Sequence, residues 1–232
     1  MNIQDYFQRL NNDSQDVLAR TMVDKDSLGS LHHLSSCIYE FSGCIVDQQE
    51  RQILETVSAQ LESATFNLTL GLYRQAFSSL RLALEMGLAA VYFSTNKIEL
   101  YEWLEGRMDI KWSKLVDENN GVLSNRFAMA FFREIADDIE DYRNKAIFVY
   151  RTLSEYVHGN NETWSDSGIR LSYNKGLFDK YRNCYKTVCE VILFSATCRY
   201  VKFLDDSSIE SISFLSEELN QITAVRNIFG QC

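Results

Sequence analysis

The chain of 232 residues contains no proline. Average usage of about 5% would place roughly a dozen in a chain of this length. Proline lacks the backbone donor and clashes with the preceding helical turn, so it breaks helix interiors and punctuates turns. Its complete absence leaves long helices uninterrupted. The 10 glycines also fall below the usual ~7%. Together the two deficits exclude turn-rich β sandwiches, collagen-like repeats and proline-rich linkers. Hydrophobic residues at 46% and charged residues at 24% match globular averages and exclude wholesale disorder. The expected class is all-α, a helical bundle with a core large enough to stand without disulfides or metals.

Apolar residues recur at helical spacing almost throughout. Leu177, Tyr181, Cys184, Val188, Val191, Ser195 and Cys198 alternate steps of four and three, which predicts a helix over about 176–204. Two more long helices are expected over 53–70 and 73–94, with Gly71 as the turn between them. They make an antiparallel hairpin, the basic unit of a bundle. A fourth is marked by Ile139, Tyr142, Ala146, Val149, Leu153 and Val157 and should stop at Gly159-Asn160-Asn161. The first 46 residues read as two or three short helices, with Asp13 or Ser14 as a cap and 27–30 as a break. Weak patterning over 95–126 predicts short helices or loops carrying Trp103, Gly106, Trp112 and an Asn119-Asn120-Gly121 turn. Residues 160–175 read as another loop. The chain therefore reads as one compact domain, with a helical extension over 1–46, the bundle over 47–204 and a C-terminal helix or tail over 205–232.

The net charge of −9 argues against the whole surface binding nucleic acid, because such binding comes from neutralising phosphates. The sum conceals an asymmetry. Residues 170–202 carry seven basic and two acidic side chains, whereas 1–70 carry four basic and ten acidic, and 203–232 one basic and five acidic. The basic segment is either a local anion site or a solvated helix face. No run approaches the eighteen apolar residues of a membrane span, the densest being Val191 to Cys198. The N-terminus lacks the basic and apolar regions of a secretory signal, so a cytoplasmic protein with no membrane contact is expected. Six cysteines, Cys37, Cys44, Cys184, Cys189, Cys198 and Cys232, include no CxxC pair and no zinc-ligand spacing. Reduced thiols are expected, four or five of them packed as small apolar side chains.

Three histidines limit the search for acid/base chemistry. His32 and His33 are adjacent and point in different directions on any helix, which suits structural roles. His158 differs by its company. Arg151, Ser154, Glu155 and His158 stand at i, i+3, i+4 and i+7, on one stripe, with about 10 Å of axial rise between Arg151 and His158. An arginine leaning along the helix can share one anionic group with the imidazole. The helix end and Glu155 favour the imidazolium, which suits proton transfer near neutrality. The structural alternative is an ordinary Arg151–Glu155 pair with His158 capping the helix end. A second polar stripe, Arg74, Ser78, Arg81 and Glu85, either faces the first and completes an anion pocket or forms an ion-pair row that fixes the hairpin. Tyr150, Tyr156, Trp164 and Tyr173 surround the motif as candidates to stack on bases. Lys180 and Arg182 of the basic segment are candidate phosphate contacts.

The segment Arg151-Thr152-Leu153-Ser154-Glu155-Tyr156-Val157-His158 resembles the motif of the HEPN superfamily, an Arg and a His separated by four to six residues late in a helix. The hairpin Gly71-Leu72-Tyr73-Arg74-Gln75-Ala76-Phe77, followed by Leu80-Arg81-Leu82-Ala83-Leu84-Glu85, is similar to the opening helices of such domains. The resemblance spans roughly 47–204. It implies a metal-independent endoribonuclease or toxin of a bacterial defence or toxin-antitoxin system, acting on RNA such as tRNA or mRNA. It further implies a homodimer that brings two motifs together, or a cognate partner protein, and no cofactor or metal. Its functional residues map only onto Arg151 and His158, and where active members often carry Asn, Asp or His after the Arg this chain has Thr152.

The chemistry suits these residues. Cleavage of RNA by its own 2′-hydroxyl needs a proton acceptor, a proton donor and a cation near the pentacoordinate phosphate. His158 is expected to handle protons and Arg151 to hold the phosphate, with Glu155 in support and Ser154 as a further contact. The competing expectation is a catalytically inactive HEPN-like module that binds a protein partner or nucleotide and regulates another defence protein. A bundle-type metal enzyme would need a second Glu-x-x-His besides Glu155 and His158, and the sequence has none.

Overall fold

The computed structural model describes residues 2–158 and 169–230, which form helices and connecting turns without a strand. Helices α1 (Ile3–Thr21) and α2 (Lys25–Gly43) are each 19 residues long, where shorter pieces are predicted. The break falls at 22–24, because the Asp24 side chain accepts the Ser27 backbone N–H at 3.2 Å and starts α2 there. Ser27 and Gly29 lie inside α2. Asp13 and Ser14 lie inside α1, where their side chains are spent within the helix. Asp13 pairs with Arg9 at 3.3 Å, and the Ser14 hydroxyl donates to the Asn11 carbonyl at 2.7 Å.

The predicted hairpin forms from α3 (Gln48–Thr69) and α4 (Tyr73–Thr95). Asp47 caps α3 by accepting the N–H groups of Gln49 and Glu50 at 3.0 and 3.1 Å. At the corner the Leu72 N–H reaches the Asn67 carbonyl at 2.9 Å and the Gly71 N–H the Leu68 carbonyl at 3.0 Å, the reciprocal pair of a Schellman ending. Gly71 has φ +78° and a Cβ there would sit 3.2 Å from Val17, so both the turn and the close approach of α1 require glycine. Helices α5 (Lys97–Leu104), α6 (Trp112–Leu115) and α7 (Asn125–Phe131) follow as short pieces. The turn at 119–121 forms around Asp117, whose carboxylate accepts the N–H groups of Asn119 and Asn120.

A 3-10 stretch over 133–138 leads into α8 (Ile139–His158). The predicted stop at Gly159-Asn160-Asn161 lies outside the described residues. Leu153 and Tyr156 are fully buried on α8 while Val157 is half-buried, so Tyr156 takes the core position expected for Val157. The last long helix, α9 (Lys175–Tyr200), ends four residues before the predicted boundary and passes into a 3-10 turn. Three short helices, α10 (Asp206–Ser211), α11 (Leu215–Glu218) and α12 (Thr223–Ile228), close the chain.

Helix α9 is the axis of the molecule. Residues 191–198 are all buried, and α2, α4 and α8 pack around them. At the tightest point α4 presents Gly87, where a Cβ would lie 2.6 Å from Ile192. Leu31, Leu34, Cys37, Ile38 and Phe41 of α2 join the same core, whereas α1 contributes no residue to it and buries only Val17 and Thr21. Ile212, Leu215, Leu219, Ile222 and Val225 join it from the C-terminal segment. By length and composition α4 could cross a membrane, which the sequence reading missed by watching 191–198. Its most apolar window is 61% buried inside the bundle. Cys37, Cys184, Cys189 and Cys198 are buried free thiols and Cys44 is half-buried. Burial pushes the thiols of Cys37 and Cys198 up to about 12.

Candidate functional site

Helices α4 and α8 run antiparallel, so the polar stripe of each meets the other. Phe77 of α4 stacks on Tyr156 of α8 with ring centroids 3.9 Å apart and planes at 11°. One turn further along α4, the Arg81 guanidinium reaches three groups. Its Nη1 lies 3.3 Å from His158 Nε2, and its Nη2 donates to the Tyr150 hydroxyl at 2.6 Å and to Glu85 Oε1 at 3.2 Å. A guanidinium has donors and no acceptor, so in this contact Nε2 accepts and the ring proton resides on Nδ1. Tyr150 is held from its other side by Trp112, stacked at 3.8 Å and 6°. Burial pushes the Tyr150 phenol up, and the Glu85 carboxylate adds to the shift. It therefore stays a neutral hydroxyl across the physiological range.

The second stripe forms an ion pair within α4 and also reaches across to α8. Arg81 and Glu85 form an i,i+4 ion pair, 18% and 22% exposed, and Arg81 also faces His158. The partner of His158 comes from α4, whereas Arg151 and Glu155 on its own helix are exposed and make no hydrogen bond or ion pair among the described residues. The ordinary Arg151–Glu155 pair is therefore not formed. Ser154 donates to the Tyr150 carbonyl at 2.7 Å within α8, a local bond that occupies its hydroxyl.

The other predicted contacts divide. Tyr156 is fully buried, with Phe77 on its ring and the Lys180 ammonium 5.0 Å from its centroid, so its ring is closed to a base. Lys180 therefore stands at the α4/α8 seam. Arg182, two residues on, points to the opposite side of α9, where it donates to the Ser27 hydroxyl of α2 at 2.9 Å. Tyr173 packs near Phe178, and Trp164 lies outside the described residues. Arg74 stands at the far end of the α4 row, with Nε and Nη2 buried and without hydrogen-bond partners.

His32 and His33 pair with Glu62 and Glu218 at 3.1 and 3.3 Å. No group of three or more His, Cys, Asp or Glu able to hold a metal is present among the described residues. Two residues near the motif are not among the predicted site residues. Trp112 comes from a distant short helix and leaves no local signal. Phe148 is 74% exposed on α8, three residues before Arg151 on the same stripe, and a large apolar side chain at that polar position was the available clue.

The site defines the class of the molecule only so far as an all-α bundle with a histidine and arginines at a helix-pair seam. Comparison with protein-family models, with curated proteins and with solved structures finds no match.

Proposed function

We propose that this protein is a HEPN-like, metal-independent endoribonuclease of a bacterial defence or toxin-antitoxin system, acting in the cytoplasm as a homodimer or with a cognate partner. The observation that carries the reading is the meeting of His158 and Arg81 at 3.3 Å across the seam, beside the exposed Arg151. A phosphodiester laid there has a guanidinium from α4, a second from α8 and an imidazole between them. When the phosphate draws the Arg81 guanidinium from His158, the freed Nε2 lone pair takes the proton of the attacking 2′-hydroxyl, the 2′-oxygen bonds to phosphorus and the bond to the 5′-oxygen breaks. A second proton donor delivers a proton to that leaving oxygen. The products are a 2′,3′-cyclic phosphate and a 5′-hydroxyl. The arginines offset the charge that grows on the phosphoryl oxygens.

One imidazole cannot be acceptor and donor at once, which favours a pair of His158 residues from two copies of the chain. Phe148 and its neighbour Ile147, 74% and 39% exposed on α8, supply an apolar patch beside the motif for such a contact. The same patch favours a second reading, a catalytically inactive module that docks a protein through α8.

The two readings separate in a cleavage assay. In EDTA, purified wild-type protein should cut single-stranded RNA or tRNA. His158→Ala and Arg151→Ala should each abolish cutting with unchanged melting temperatures. Undiminished cutting by both variants would remove the site assignment, and an inert wild type on every RNA would favour the docking module.

A further inference from the structure

Arg74 is a charge without a counter-charge among the described residues. Its Nε and Nη2 are buried without hydrogen-bond partners, and it forms no ion pair among the described residues. The residue as a whole is half-buried, and burying even part of an ionised group unpaired is costly, since proteins ordinarily pair it or leave it in water. Its surroundings offer more positive charge. Arg81 lies seven residues on along the same face of α4, about 10 Å by helical rise, and its Nε is also buried and unpartnered. Between the two arginines Phe77 carries Tyr156, over which the Lys180 ammonium sits at 5.0 Å. Among the described residues Glu85 is the one carboxylate paired with this row, and it engages Arg81.

We infer that Arg74 anchors a phosphate group, with Arg81 flanking it toward His158, so that the seam between α4 and α8 is a phosphate-binding site. A phosphate is the fitting anion because a guanidinium fork donates two parallel, charge-assisted bonds to it. The row is long enough to follow a phosphodiester backbone past His158, and it equally accepts the phosphate of a free nucleotide. The site holds its phosphate whether or not His158 cuts the ester.

The test uses melting curves and binding titrations on the full chain. In phosphate-free buffer Arg74→Met should melt about 2–4 °C above wild type, because it removes an uncompensated charge and keeps the apolar stem. Inorganic phosphate should raise the melting temperature of wild type and leave Arg74→Met unmoved. Arg74→Lys, which keeps the charge and loses the fork, should respond weakly. A 2′-O-methyl RNA decamer, which lacks the attacking hydroxyl, should bind Arg74→Met about tenfold more weakly than wild type. The salt dependence of that binding should be shallower by about 0.7 in the log–log slope, one phosphate contact of a single strand.

Adenosine monophosphate separates the sources. Affinity for it equal to that for the decamer assigns the site to a free nucleotide, and affinity that grows with oligonucleotide length assigns it to a nucleic-acid backbone. Equal stabilisation of wild type and Arg74→Met by phosphate, or a lower melting temperature in Arg74→Met, overturns the inference. His158→Ala should retain the full phosphate response, so loss of cleavage and loss of the phosphate site are distinguished.

Discussion

Two polar clusters sit in this bundle, and only one is closed. At the start of α3, Asp47 and Glu50 share the Lys97 ammonium, with Asp47 Oδ2 at 2.7 Å. Glu50 is 4% exposed and also accepts the Tyr200 hydroxyl at 2.7 Å, so α3, α5 and α9 meet on one carboxylate. Every charge there has its partner. At the α4/α8 seam the balance differs, because Arg74 forms no ion pair among the described residues and Arg81 divides its donors among Glu85, Tyr150 and His158. A closed network fixes helices, and the open one is where we propose that an anion binds. The contrast lets function be argued from an unfinished set of bonds rather than from a motif.

The largest effect on stability is expected at the closed cluster. Glu50→Ala leaves the buried Tyr200 hydroxyl without its acceptor and Lys97 with Asp47 alone, and should cost about 2–3 kcal/mol in denaturant unfolding, below the range for fully buried pairs because Lys97 is 43% exposed. An unchanged midpoint would show that the network is not what joins these helices. Next comes its pH dependence. The hydrogen bond from Lys97 holds the Asp47 carboxyl below its ordinary value of 3.8. A lowered folded-state value means that this stabilisation is complete above that value and is lost as pH falls through the lowered one. For Lys97, burial opposes the charge, but the hydrogen bonds it donates to Asp47 and Glu50 outweigh it and raise the value above 10.5. That contribution is complete below 10.5 and fades as pH rises beyond it. Melting temperature should therefore fall at both extremes, and Asp47→Asn should flatten the acid limb.

The smallest effect on stability belongs to the open seam. Arg151→Ala, at an exposed position without a bond to lose, should shift unfolding by no more than about 0.5 kcal/mol. A loss as large as that of Glu50→Ala would erase the distinction between the clusters.

Much of this fold is legible from spacing alone. Helices α3, α4, α8 and α9 follow from apolar periodicity, and the α3/α4 corner from Gly71, because both signals are local. The N-terminal helices were harder to place, since Asp13 and Ser14 have the chemistry of caps but spend it inside α1, while Asp24 does the capping. At the site, periodicity correctly places Arg151 and His158 on one face of one helix. It is silent on contacts between helices, so the meeting of Arg81 with His158 was one of two readings and the support from Trp112 was not visible. Tyr156 and Arg182 show the same boundary. Each lies close in sequence to the stripe or to Lys180, yet one is stacked in the core and the other turned toward α2.

The central claim is that the open seam acts on RNA, and the ends of its products test that most directly. Incubating the wild-type chain with 5′-labelled single-stranded RNA in EDTA and identifying the new termini should give 2′,3′-cyclic phosphates and 5′-hydroxyls, absent with His158→Ala. Products bearing 5′-phosphates, or the same products from His158→Ala, would contradict the account.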